Sequence, residues 1–102
     1  MLTCIIRYDI DPTKRAAFEQ YARNWGQCIP RNGADLIGYY SPREGSSTLA
    51  YGIYNIDDLA AYERYRASLA ADPLGRENYE FAMTERFIRA EDRTWLARVD
   101  QG

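Results

Sequence analysis

Five residues have the chemistry of a ligand pocket. Trp25, Tyr39 and Tyr51 offer aromatic walls, and Arg7 and Asn24 offer hydrogen bonds to a polar group held between a first helix and a sheet. Sites for small molecules combine apolar walls with a few convergent polar groups, and these residue types meet that description. Each also has a competing structural role. Phe18, Trp25 and Tyr62 lie at helical spacing and read equally as core stripes, Asn24 suits a solvent-facing helix position, and Arg7 suits a salt-bridged strand position.

What the chain lacks narrows the chemistry further. It has no histidine, which removes the usual axial ligand of haem, the commonest metal ligand and the ordinary base for a serine or cysteine nucleophile. Carboxylates such as Asp9, Glu19 and Glu63 are scattered and show no octahedral-site pattern. The glycines are isolated and spell neither a phosphate loop nor a dinucleotide fingerprint. Cys4 and Cys28 have no metal spacing and read as reduced thiols. No cofactor and no metal are expected.

With 102 residues, 46% of them hydrophobic and 27% charged, the chain reads as a single globular domain over residues 1–102. No apolar run approaches the ~20 residues needed to cross a bilayer. A strand-like run begins almost at the amino terminus, which leaves no room for a targeting peptide and points to a cytoplasmic protein. Twelve of the thirteen basic residues are arginine, spread along the chain, and the net charge is −2. That balance argues against nucleic acid. The run Ala50-Tyr51-Gly52-Ile53-Tyr54 has the aromatics of an RNA-stacking strand, but without a basic glycine-aromatic string it is better explained by core packing.

The elements that must position these residues are written as a pseudo-repeat. Tyr8-Asp9-Ile10-Asp11 returns as Tyr54-Asn55-Ile56-Asp57, and Phe18-Glu19-Gln20-Tyr21 returns as Tyr62-Glu63-Arg64-Tyr65. Each unit is a strand followed by a helix. Strand one spans Leu2 to Asp9, and Asp11-Pro12 starts the first helix, whose apolar stripe is Phe18, Tyr21, Ala22, Trp25 and Ile29, closing at Asn32-Gly33. Ala34 to Tyr40 and Thr48 to Asn55 form a hairpin across a turn-rich Ser41–Ser47. Asp57 is placed to cap the second helix, with Leu59, Tyr62, Tyr65 or Arg66, and Leu69 facing inward. Asp72-Pro73 ends it and starts a short third helix; strand four spans Arg86–Leu96 with a bend or bulge near Glu91-Asp92. The order is the ferredoxin-like βαββαβ arrangement, α+β, a four-stranded antiparallel sheet with its helices on one face and strands one and three in the centre.

Two helices cover one face of such a sheet, and the other face should then be polar. Here both faces carry apolar or aromatic groups: Ile5 opposes Cys4 and Ile6 in strand one, and Leu49, Tyr51 and Ile53 oppose Ala50 and Tyr54 in strand three. The expected cover is a second copy, giving a homodimer whose sheets pack into a shared barrel.

At this point a family likeness is visible. The opening Met1-Leu2-Thr3-Cys4-Ile5-Ile6-Arg7-Tyr8, the helix segment Tyr21-Ala22-Arg23-Asn24-Trp25, the strand Gly38-Tyr39-Tyr40, the tip Pro42-Arg43-Glu44-Gly45 and the stretch Tyr62-Glu63-Arg64-Tyr65-Arg66…Asp72-Pro73 resemble the NIPSNAP family. The resemblance implies the dimeric α/β-barrel superfamily, whose members include cofactor-independent monooxygenases, haem-handling proteins and small isomerases. It supplies no defined catalytic set to carry over. Two readings follow. One is a homodimer binding a small apolar or aromatic ligand, or a protein partner, without turnover. The other is a cofactor-independent monooxygenase acting on an electron-rich aromatic substrate, polyketide- or quinol-like, with Arg7, Asn24, Trp25 and Tyr51 orienting it.

Overall fold

Alternation decides the first strand. In β1, Leu2–Ile10, the side chains of Cys4, Ile6, Tyr8 and Ile10 are buried on one face, while Thr3, Ile5, Arg7 and Asp9 take the other. The computed structural model describes residues 1–102. Asp11 turns the chain out of β1: its Oδ1 accepts from the Thr13 amide at 2.9 Å and from the Thr13 hydroxyl at 2.7 Å, capping a 3-10 turn over Pro12–Lys14. Helix α1, Arg15–Arg31, follows and buries Phe18, Tyr21, Trp25, Cys28 and Ile29. It runs through Gly26 and Pro30 and ends where the Asn32 side-chain amide donates to the Cys28 carbonyl at 2.8 Å. The hairpin strands are β2, Asp35–Tyr40, and β3, Leu49–Ile56. Helices α2, Leu59–Ala71, and α3, Pro73–Glu85, lead into β4, Ile88–Leu96.

The four strands form one antiparallel sheet in the order β2-β3-β1-β4, so the two strands of the pseudo-repeat, β1 and β3, lie side by side in the centre. Tyr8 and Tyr54, and Phe18 and Tyr62, the paired members of the repeat, each face the layer between sheet and helices. The fold is the ferredoxin-like α+β arrangement with one helix more than two strand–helix units need.

Four local details differ from the sequence expectation. The cap of α2 is Asp58 rather than Asp57; its Oδ1 accepts from the Ala61 amide at 2.7 Å. Leu59 then falls in the first turn on the outer side, 56% exposed, so Tyr65, Tyr62 and Leu69 carry the inner stripe without it. The third helix is a full 13 residues, as long as α2. At Gly75 a Cβ would come within 2.7 Å of the Leu69 carbonyl, so glycine lets α3 turn tightly under α2. Finally, β4 is continuous through Glu91-Asp92. Its irregularity sits at Arg89, between Ile88, opposite Ile10, and Ala90, opposite Asp9.

A second bulge sits in β2. Leu36 pairs with Tyr54 and Gly38 with Ile53, which leaves Ile37 unpaired and 51% exposed. The extra residue reverses the alternation, so Leu36 and Tyr39 share the helix side although they are three apart. Tyr39 lies across Gly52, where a Cβ would come within 2.6 Å of its ring, and its hydroxyl is 3.1 Å from that of Tyr8.

The helix layer is fixed by buried polar groups as well as by rings. Asn78, 1% exposed, donates to the Tyr21 carbonyl at 3.0 Å and accepts from the Asn24 amide at 2.9 Å, which ties α3 to α1. Asp72 ends α2 and caps α3 at once. It accepts from the Leu74 amide at 3.0 Å, from Arg31 at 2.6 and 2.8 Å and from Asn32 at 2.8 Å. The result is a slab 40 × 36 × 19 Å, helices above and an uncovered sheet face below. No helix is long and apolar enough to cross a membrane.

Candidate functional site

Strand register divides the five residues singled out by chemistry. Arg7 and Tyr51 are direct partners across β1 and β3, and both lie on the uncovered face. There the Arg7 guanidinium is bound to Asp92 on β4 at 3.0 Å. Trp25, Tyr39 and Asn24 lie on the helix side. Asn24 is spent on Asn78 and on the Gln20 amide, which donates to it at 2.9 Å; Tyr39 is spent on Tyr8 and Gly52. The five therefore do not converge, and the physical reason is parity: odd positions of β1 and β3 point away from α1.

What the fold does bring together is a set of phenols around an arginine. Pairing places Cys4 opposite Trp95, Ile6 opposite Arg93 and Tyr8 opposite Glu91, so Glu91, Arg93 and Trp95 share the helix side of β4. Above them, Trp95 packs edge-on against Tyr62 of α2 at 4.6 Å and against Tyr54 at 6.3 Å, while Tyr54 meets Tyr65 at 5.4 Å. On the α1 side, Tyr21 stands edge-on to Trp25 at 5.6 Å and to Tyr8 at 6.3 Å.

The hydroxyls show that this cluster is not sealed core and opens to the surface at its tips, as a recess among the rings. Tyr21 and Tyr65 are each only 5% exposed, yet their hydroxyls make no hydrogen bond to another group of the protein. No buried side-chain nitrogen or oxygen in the molecule lacks a partner. The two hydroxyls must then reach accessible surface, as tips of otherwise buried rings.

Its electrostatics follow from burial. Burial pushes the Tyr21 phenol up to about 12, with the Trp25 indole and Arg93 pulling the other way and Glu91 adding to the rise. Burial also raises Tyr65 and Tyr54; the nearby Cys4 thiol raises Tyr54 further, and Arg93 opposes the shift in both. Cys4 is raised by burial as well, so it is an inert thiol. Partial burial works against the Arg93 charge, and the combined pull of Tyr62, Tyr54, Cys4 and Glu91 outweighs it and raises its pKa. At neutral pH the recess thus offers neutral phenolic donors and one fixed cation. No group of three or more His, Cys, Asp or Glu side chains is placed to hold a metal ion.

A second concavity, an open groove of about 320 Å³, runs between α1 and the edge strand β2 over Phe18, Ala22, Gly26, Leu36 and Tyr39. Its polar rim is already paired, Ser41 with Glu19 at 2.7 Å and Arg23 with Gln20 at 3.2 Å, so it has little left with which to recognise a ligand.

Of the sequence candidates only Trp25 borders the recess. Arg93, Tyr21, Tyr54 and Tyr65 were not among the sequence candidates. The available signal was the spacing Glu91, Arg93, Trp95: two charges on the same strand face as an aromatic that packs inward.

Comparison with known proteins agrees with this architecture. The structure superimposes on Atu4242 from Agrobacterium tumefaciens with a TM-score of 0.84 at 18% identity, over 99% of this chain and 96% of that one. It is similar to an uncharacterized NIPSNAP domain protein from Burkholderia xenovorans, with a TM-score of 0.79 at 20% identity, over 100% and 98% of the two chains. A proposed antibiotic biosynthesis monooxygenase from Nitrosomonas europaea shares the fold at 11% identity, with a TM-score of 0.75 over 98% of this chain and 100% of that one. A search of curated proteins found no match. The NIPSNAP family model matches residues 3–101, and with almost the whole length accounted for, the chain belongs to the NIPSNAP family.

Proposed function

We propose that the protein is a homodimer whose two recesses each bind a small aromatic molecule. The observation that carries the binding role is the pair of buried tyrosines, Tyr21 and Tyr65, whose hydroxyls reach accessible surface. A core gains nothing from such groups, whereas a ligand can accept from them. Rings from β3, α1, α2 and β4 supply its apolar walls.

The uncovered sheet face supports the dimer. Its centre is Ile5 beside Ile53 and Tyr51 beside Tyr40, with Leu49 40% and Tyr40 51% exposed. A chain of 11.8 kDa should expose about 5,900 Å² when folded. This one exposes 6632 Å², an excess of about 700 Å² that approaches the roughly 800 Å² each partner buries in a standard interface. The ionic pairs Arg7–Asp92 and Arg89–Asp9 flank the apolar centre and suit a polar rim. Cys4 and Cys28 are free buried thiols, which suits a reducing cytoplasm.

A second reading, cofactor-independent oxygenation of an electron-rich aromatic, is favoured by Arg93. A cation at the recess would hold a phenolic substrate as its anion, the form that gives an electron to oxygen. The monooxygenase named among the similar structures shares this fold and lends the reading its reaction class.

Three measurements test the proposal. Sedimentation should give twice the 11.8 kDa chain mass; a monomer at micromolar concentration refutes the dimer. Native mass spectrometry should find an aromatic molecule retained, and calorimetry should detect binding of simple naphthalene derivatives; none bound refutes the recess. Oxygen uptake with a panel of polyphenols decides between binding and turnover.

A further inference from the structure

Building on the recess as a ligand site, we propose that Tyr21 and Tyr65 select its aromatic ligand by a carbonyl oxygen: the ligand is neutral, it carries a hydrogen-bond acceptor, and the two phenols donate to it. Both residues are only 5% exposed, and neither hydroxyl has an acceptor within the protein. A third phenolic proton is unspent. The Tyr8 and Tyr39 hydroxyls stand 3.1 Å apart and share one hydrogen bond, which uses one of their two protons. Beyond burial, Tyr39 is raised by both Tyr21 and Tyr65, so these phenols share one neighbourhood. Glu91, the carboxylate that acts on Tyr21, takes no hydrogen bond from it. The cluster is rich in donors and short of acceptors.

Packing holds both donors in place. Tyr21 is edge-on to Trp25 at 5.6 Å and to Phe87 at 5.4 Å, and Tyr65 lies 5.4 Å from Tyr54 and 6.2 Å from Tyr62. Phenylalanine would fill the same space, so packing gives no reason for the two hydroxyls. Tyr40 and Tyr79, 51% and 64% exposed, show the other arrangement, a phenol that is simply solvated. A donor whose ring is already immobile loses little further freedom on binding, and a carbonyl oxygen replaces the water it gives up. Burial pushes Tyr21 up to about 12 and raises Tyr65 as well, so both remain donors at neutral pH. A cationic amine would bring donors to donors.

Calorimetry on the intact protein tests this with three naphthalenes of similar size. They are 2-acetonaphthone, its isostere 2-isopropenylnaphthalene, in which a methylene replaces the carbonyl oxygen, and 1-(2-naphthyl)ethylamine, a cation at pH 7. The ketone should bind about fivefold or more tightly than the alkene, as expected for one or two neutral hydrogen bonds. Tyr21→Phe and Tyr65→Phe should each lower that ratio. The double variant should bring it to about one while alkene affinity stays within twofold. The carbonyl stretch of bound 2-acetonaphthone should move to lower frequency in the wild type and lose that shift in the double variant, a change that a purely structural role would not produce. Circular dichroism of the variants controls for folding. Equal affinity for ketone and alkene, tighter binding of the amine than of the ketone, or a preference that survives the double substitution overturns the selection while the recess stands. Failure of all three probes to bind overturns the recess itself, and the selection with it.

Discussion

Gly52→Ala should destabilise the protein far more than a methyl on a strand ordinarily does, and the reason lies in one ring. The new Cβ would stand 2.6 Å from Tyr39 Cζ and 2.7 Å from Cε2, where carbon atoms rest at about 3.5–4.0 Å. The ring must move about 1 Å. It is held by Phe18, with centroids 6.3 Å apart, and by the hydroxyl of Tyr8 at 3.1 Å, so the shift strains packing and parts that hydrogen bond. Overpacking costs about 1–3 kcal/mol and loss of a buried hydrogen bond about 1 kcal/mol, giving about 2–4 kcal/mol in all. For a chain this size the melting temperature should fall by roughly 10–20 °C. Urea unfolding at fixed protomer concentration measures it. The assay that isolates the cause is a double-mutant cycle with Tyr39→Leu, in which the ring is gone and Gly52→Ala should cost under about 1 kcal/mol. Additive effects of the two substitutions would refute the contact and the β2 register on which it depends.

Three further outcomes follow from buried and paired groups. Five of the nine tyrosines, Tyr8, Tyr21, Tyr39, Tyr54 and Tyr65, are raised above the ordinary phenol value. Their folded pKa exceeds the unfolded one, so the stability they confer is complete below pH ~10 and is lost as pH rises through the folded values. Absorbance titration should show these five ionising only with unfolding, and nine phenols titrating together with the fold intact would contradict it. Asp72 has its carboxyl well below the usual range, held there by Arg31, then Asn32 and the Leu74 amide. Its contribution is present above pH ~4 and lost below it, so Asp72→Asn should lower stability at pH 7 and flatten the acid side of the stability curve. An unchanged acid slope would count against the Arg31 pairing. Asn78→Ala should cost about 2–3 kcal/mol, since it opens a gap and removes two hydrogen bonds between α1 and α3; a loss under about 0.5 kcal/mol by urea unfolding would mean that the link is not buried.

The site was less legible than the fold because a site depends on parity, and parity is carried by single residues. Trp25 could be picked out by type alone. Arg7 and Tyr51 have the right chemistry, but their odd positions in strands whose even residues are buried send them to the uncovered face. Arg93 escaped notice because a bend read at Glu91-Asp92 broke the alternation that would have set it beside Trp95; the bulge lies at Arg89 instead, and the strand beyond it is regular. The adjacent apolar pairs of β2 have the same explanation, a bulge at Ile37 that swaps the faces halfway along.

Sequence alone determined the elements and their order. Hydrophobic period, proline and aspartate at helix starts and the pseudo-repeat are local or self-referring, and they were enough for a four-stranded antiparallel sheet with β1 and β3 central. Tertiary structure decided the rest: which aspartate caps α2, how far α3 runs past Gly75, where the two bulges fall, and that phenols from α1, α2 and β3 gather on the helix side of the sheet. Those outcomes arise from contacts between residues far apart in the chain, such as Thr3 opposite Leu96, 93 positions away. No local pattern encodes them, because the energy that selects each one exists only once the layers have closed.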